Sequence, residues 1–159
     1  KFDYIQGRIF SFFNRETGSH NFQSDKAIDS ITSGGFFGKG IGEGTLKNRV
    51  PEAHTDYIIS VISEEFGIIS IMLILLLFLT LIYMVFKKIR FENDDMIKLI
   101  LIGSISLILM QATIHIGVNI RLLPTTGMTL PFLSYGGSSI ISTSILAGII
   151  LNLTKRNIN

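Results

Sequence analysis

The sequence predicts an all-α polytopic membrane protein, with three membrane-spanning helices and one large loop on the outer side. Three observations predict this class. Of the 159 residues, 47% are hydrophobic and the mean hydropathy is +0.49, both high for a soluble domain of this size. Residues 68–86 carry no charged side chain, and roughly 19 residues at about 1.5 Å each are long enough to cross a bilayer core. Two more apolar runs follow, at 99–118 and 138–153.

Composition also excludes several classes. With no cysteine, neither a disulfide framework nor a thiolate metal site can form. A net charge of +2 without a Lys/Arg run gives no electrostatic footprint for nucleic acid. The chain opens on Lys1 with no signal peptide after it, as expected for a piece of a longer protein.

Residues 1–56 are polar and mixed in charge, and form the expected large loop. Phe10, Phe12, Phe13, Phe22, Phe36 and Phe37 keep that segment from reading as disordered. Ala27, Ile28 and Ile31 follow Ser24 at helical spacing, which predicts a short interfacial helix near 24–32. The run from Gly34 to Gly44 holds six glycines and predicts a backbone-rich turn. The expected spans are then 57–87, 97–118 and 134–154, joined through 88–96 and 119–133, with 155–159 as a tail. Lys87, Lys88, Arg90 and Lys98 crowd the first connection, and Lys155 and Arg156 follow the last span. Basic residues beside spans face the cytoplasm, so 88–96 and the tail are expected inside, and 1–56 and 119–133 outside.

Four stretches carry candidate chemistry. In the glycine run the spacing rejects a Walker A loop, because Ser33 and Gly40 stand where Gly and Ser/Thr are required. It also rejects the dinucleotide fingerprint. What remains is either a tight turn at the membrane surface, or a loop whose amides and Lys39 contact a phosphate. The second stretch is 49–56. Pro51 suits a first helical position, and a helix starting there places Glu52, Asp56, Ser60 and Glu64 on one face. A partly desolvated carboxylate at such a place gains proton affinity and suits general-base work. The same acids could simply form a solvated face that compensates the helix dipole. Glu52, His54 and Asp56 could alternatively hold a divalent ion, but alternate positions converge on an extended strand rather than a helix.

The third candidate, His115, interrupts an apolar run together with Gln111. It is expected to hydrogen-bond a neighbouring helix, although an ionisable group inside a membrane is also a functional candidate. The fourth stretch is 119–139, half apolar yet punctuated by Pro124, Pro131, Gly127, Gly136 and Gly137. Irregular backbone near membrane depth is tolerated where it is buried in protein or lines a wet cavity. Arg121 is a candidate there for pairing with phosphate.

Residues 33–40, 51–58, 64–67 and 124–139 together resemble the SEDS family (shape, elongation, division and sporulation) of polytopic cell-wall proteins. Four motifs in the right order make this a specific signal. Ala53 before His54, Gly117-Val118-Asn119 and the Pro124-Thr125-Thr126-Gly127 run are most similar to the division branch. The resemblance implies a fold of roughly ten membrane helices, of which this chain supplies the last three and the large outer loop. It implies a peptidoglycan glycosyltransferase that polymerises lipid II at the outer face of the bacterial cytoplasmic (inner) membrane. The setting is septal cell-wall synthesis during cell division, beside a class B penicillin-binding protein and other division proteins. This part alone is expected to be inactive.

The family's essential loop acid falls on Asp56, expected as the general base. Lys39, Glu52, His54 and Arg121 are expected to contact substrate, with Lys39 and Arg121 on its pyrophosphate. A divalent cation, Mg²⁺ or Mn²⁺, is a candidate cofactor, held by Glu52, His54 and Asp56; no organic cofactor is expected. Thr126 departs from the Lys that many members carry. Two other readings are a lipid II flippase, with a polar pathway through Gln111 and His115, and a non-catalytic division scaffold.

Overall fold

A computed structural model describes residues 19–50 and 53–155, and among these every regular element is a helix. In chain order they are α1 (Ser19–Gly34), α2 (Leu46–Arg49), α3 (Ile58–Phe66), α4 (Ile68–Phe91), α5 (Asp95–Asn119) and α6 (Gly137–Lys155). The helices α4, α5 and α6 are each long and apolar enough to cross a membrane. Their exposed residues include Leu73, Leu76, Tyr83, Met84, Leu107 and Ile141, an apolar surface that suits lipid and not water. The chain is part of a multi-pass membrane protein.

The helix α1 is longer than the expected 24–32, and it packs by a different face. Ser24, Ala27, Ser30 and Gly34 are turned inward against α3, while Ile28 and Ile31 are only half-buried. Small residues at three- and four-residue spacing let two backbones approach closely. A Cβ at Gly34 would stand 2.0 Å from the Ser63 carbonyl oxygen, so only glycine fits there.

The span expected over 57–87 is two helices. The helix α3 ends and α4 begins at Gly67, whose φ of 78° and ψ of −178° lie in a region open essentially to glycine alone. The glycine-rich loop occupies the break. Lys39 N and Gly40 N donate to the Glu64 and Glu65 carbonyls at 2.9 and 3.0 Å. Ile68 N donates to the Gly35 carbonyl at 3.0 Å. The loop thus caps the carbonyl end of α3 and the amide end of α4, groups every helix terminus leaves unpaired. The long charge-free run from Ile68 hides this break, because hydropathy carries no information about a cap supplied thirty residues earlier.

The connection from α4 to α5 is shorter than the expected 88–96. The helix α4 continues to Phe91, and Asp94 caps α5 by accepting from Met96 N at 2.9 Å. One face of α5 (Leu101, Ile105, Ile108, Ala112) joins Phe78 and Val85 of α4, Ile150 of α6, Leu130 and Ile59 in a single apolar cluster. A second cluster around Ala27, Leu46, Val50, Ala53, Tyr57 and Val118 fastens α1, α2 and the segment 53–57 onto this bundle. The helix α6 starts at Gly137, three residues later than expected.

Candidate functional site

Asp56 sits in a turn, 53–57, immediately before α3. The expected helical start at Pro51 lies outside the described residues, as does Glu52. Asp56 is therefore not on the face shared by Ser60 and Glu64. Those two are fully buried on α3 and face protein, not solvent. Nor is the segment extended, so His54 and Asp56 do not alternate as in a strand. Ala53 and Tyr57 are buried and anchor the two ends of the turn, with the Tyr57 hydroxyl 3.4 Å from Ser24 Oγ.

Between those anchors, three consecutive carbonyls point into the protein and each accepts a hydrogen bond from 119–135. Tyr135 N donates to His54 O at 3.1 Å, Ser134 Oγ to Thr55 O at 2.9 Å, and Asn119 Nδ2 to Asp56 O at 2.9 Å. With the main chain held on one side, the His54 side chain is left exposed and those of Thr55 and Asp56 half-buried. The Asp56 carboxylate lies beside Gly127, where a Cβ would come 3.9 Å from Oδ2. Gly127 has a φ of 74°, a left-handed conformation that glycine takes without strain.

The segment 120–136 that grips this turn is itself pinned. Leu122 N and Leu123 N both donate to Gly117 O. The Gln111 side chain donates to Thr129 O at 2.8 Å and to Ser139 Oγ at 2.9 Å. His115 Nδ1 is 2.8 Å from Met128 O, so His115 bonds to the irregular segment and not to a neighbouring helix. Of the prolines and glycines in this stretch only Pro131 is inaccessible, beside Leu130 and Ser134, while Gly127 and Gly137 are exposed.

Lys39 and Arg121 are both committed to acids. Lys39 Nζ lies 2.9 Å from Glu64 Oε1. Burial pushes the Glu64 carboxyl upward, but bonds from Leu46 N, Lys39 and Thr45 outweigh it and hold the pKa at about 2. Together with Lys26, Asp29, Arg49 and other polar neighbours, this pair lines a cavity of about 240 Å³. Arg121 is ion-paired with Asp25 of α1. Arg121 belongs to the segment that holds the 53–57 turn. Among the described residues no three His, Cys, Asp or Glu side chains converge on one point; the trio with Glu52 falls partly outside them.

The sequence pattern singles out Gln111 only for a transport pathway, and it gives Asn119 and Ser134 no working part. The signal was available: each is a polar side chain inside or beside an apolar run, where an unpaired amide or hydroxyl is costly.

The chain is similar throughout to one known group. The family model FTSW_RODA_SPOVE, described as cell cycle protein, matches residues 1–159. A probable peptidoglycan glycosyltransferase FtsW of Caulobacter vibrioides is 37% identical over 155 residues, which is 98% of this chain and 40% of that protein. The protein of the same name from Enterococcus hirae is 38% identical over 160 residues, again 40% of its length. A chain of the solved structure described as "Structural coordination of polymerization and crosslinking by a peptidoglycan synthase complex" superposes with a TM-score of 0.76 at 25% identity. That match covers 98% of this chain and 43% of the other. The chain thus spans about two fifths of the length of the relatives it matches.

Proposed function

The chain belongs to the FTSW_RODA_SPOVE family of cell cycle proteins, and from that membership we propose that it is part of a peptidoglycan glycosyltransferase, with Asp56 as general base. The observation that carries this reading is the triple carbonyl clamp on 54–56. A base must be aimed as well as basic, and a turn fixed by three hydrogen bonds to the bundle holds one carboxylate in one direction. The names of the relatives support the reaction class.

The proposed substrate is lipid II, a disaccharide-peptide on a lipid pyrophosphate. The acceptor sugar's 4-hydroxyl gives its proton to Asp56 as its oxygen bonds the donor's anomeric carbon. The bond from that carbon to the pyrophosphate oxygen breaks, and the lipid pyrophosphate leaves with the electron pair. A pyrophosphate leaves readily, whereas a hydroxyl is a poor nucleophile, so the base carries the larger share of assistance. His54, exposed two residues away, and Glu52 are the proposed neighbours for substrate or for Mg²⁺ or Mn²⁺.

Of the two cations, Arg121 suits the pyrophosphate better. Its pair with Asp25 is exposed, at 25% and 52% of the side chains' surface, and such pairs are worth little and exchange readily. Lys39 faces a Glu64 that is 1% exposed, and removing it would strand a buried charge.

The proposed setting is the bacterial cytoplasmic membrane at the division septum, with 53–57 outside and a penicillin-binding protein as partner. The complex to which the similar solved chain belongs supports that partnership. Orientation is tested with an impermeant thiol reagent: Thr126→Cys should react in intact cells and Asn93→Cys should not, and the reverse pattern overturns it.

The activity is tested with Asp56→Asn in the full-length protein, which keeps shape and removes the base. Polymerisation should fall about 100-fold or more while membrane insertion persists. A near-normal rate on purified lipid II removes Asp56 from the chemistry and favours the flippase or scaffold reading.

A further inference from the structure

The loop that caps the α3–α4 break presents apolar side chains outward. Phe36 is 74% exposed, Phe37 84% and Ile41 79%, while the cation between them, Lys39, turns back to Glu64. Backbone contacts fix the height of this patch. Ile68, the first residue of a membrane-spanning helix, donates to the Gly35 carbonyl, and the Phe36 carbonyl oxygen would touch a Cβ at Gly67 at 2.2 Å. Phe36 and Phe37 therefore stand beside the first residue of α4.

We propose that Phe36, Phe37 and Ile41 form a wedge inserted into the lipid bilayer, at the headgroup–acyl boundary of the leaflet that α4 enters. Aromatic side chains favour that boundary, and apolar side chains held there lie about 5–10 Å into it. Two features favour lipid as the occupant. Gly35 and Phe36 adjoin Ile68 and Gly67 through their backbones, and Ile68, Ile69, Met72 and Leu73 at the start of α4 are themselves exposed. Four of the loop's amides, those of Gly38, Lys39, Gly40 and Glu43, also already have carbonyl partners within the protein. An irregular loop with unpaired amides could not enter that zone cheaply. Exposed Glu43 at the far end of the loop keeps the insertion shallow.

The test uses the full-length protein in phospholipid vesicles, stripped of any cysteine outside this cysteine-free chain, with a nitroxide label at Phe37→Cys or Ile41→Cys. Collisions with oxygen, which partitions into lipid, are compared with collisions with a water-soluble nickel chelate. Labels at Tyr83→Cys on α4 and Asn93→Cys in the α4–α5 connection supply the lipid and water references. The oxygen-to-nickel ratio at both loop positions should exceed that at Asn93 by at least about threefold and approach that at Tyr83. A ratio like that at Asn93 places the loop in water. Low access to both reagents places it against protein, from the rest of the longer chain or a partner. Either result overturns the proposal, and neither depends on the glycosyltransferase reading.

Discussion

Asn119 is fully buried between Asp56 and Ser60, with its Nδ2 2.9 Å from the Asp56 carbonyl and its Oδ1 2.8 Å from Ser60 Oγ. The same amide also donates to His115 O at 2.9 Å, and Ser60 N approaches its oxygen at 3.3 Å. One side chain at the end of α5 therefore joins the turn that carries Asp56 to the first turn of α3.

Asn119→Asp tests that junction. A carboxylate keeps the shape but has no N–H to give, so the Asp56 and His115 carbonyls would face an acceptor. Turnover by the full-length enzyme should fall about 10- to 100-fold with a smaller change in KM, as expected when a base is misaimed. In an Asp56→Asn background the same change should have little further effect, because groups acting as a unit are not additive. An independent, additive loss would separate Asn119 from Asp56.

Gly67→Ala should destabilise the protein by about 1–3 kcal/mol through the backbone conformation alone. The added Cβ would also meet the Phe36 carbonyl oxygen at 2.2 Å, which must move. Detachment of the glycine loop should then follow, visible as faster amide exchange at Lys39 and Gly40. Gly35→Ala is a useful contrast. Its φ is also positive, at 59°, but a Cβ there meets nothing within 4 Å, so the loss should be smaller. Equal losses would show that the close approach at Gly67 is unimportant.

These elements also mark what could be read from the chain and what could not. The three spans were legible because lipid demands about 20 apolar residues in sequence, and 68–86, 99–118 and 138–153 supply close to that. The irregular backbone over 120–136 was legible from its prolines and glycines, whereas Asp56, expected at the mouth of a span, precedes the separate helix α3. The break at Gly67 was not, since it depends on a cap from residues 35–40. Nor was the fate of the cations. Lys39 and Arg121 find acids 25 and 96 positions away, and pairings at such separation leave no local pattern. The helix expected from Pro51 failed as a guide to Asp56 because hydrogen bonds from Asn119, Ser134 and Tyr135 hold 54–56 in a turn.

The Glu64 carboxyl gives a pH dependence of stability. Its pKa is lowered from 4.5 to about 2 in the folded protein. A depressed carboxylate binds fewer protons folded than unfolded, so its stabilisation is complete above about 4.5 and is lost as pH falls through about 2. Thermal unfolding in detergent should therefore show a falling Tm across that window. Glu64→Gln should flatten the fall and lower Tm at neutral pH, because Lys39 loses its partner. An unchanged acid profile in Glu64→Gln would assign the fall to other carboxylates.

Arg121 tests the proposed pyrophosphate contact, and its backbone decides which variant is informative. Its φ is 58°, a left-handed conformation that costs an ordinary residue about 1–2 kcal/mol and glycine almost nothing. Arg121→Gly therefore removes the guanidinium while keeping the turn after α5. Arg121→Lys keeps the charge and loses the fork that binds two oxygens at once. If the guanidinium meets pyrophosphate, Arg121→Gly should lower polymerisation about 10-fold or more, and Arg121→Lys should recover part of it. Asp25→Asn frees Arg121 from its surface pair and should leave turnover unchanged or modestly raised. If Arg121 serves only to tie α1 to the segment after α5, Asp25→Asn and Arg121→Gly should be equally harmful. The two roles thus predict opposite results for Asp25→Asn, measured as polymer formed from lipid II by the full-length enzyme.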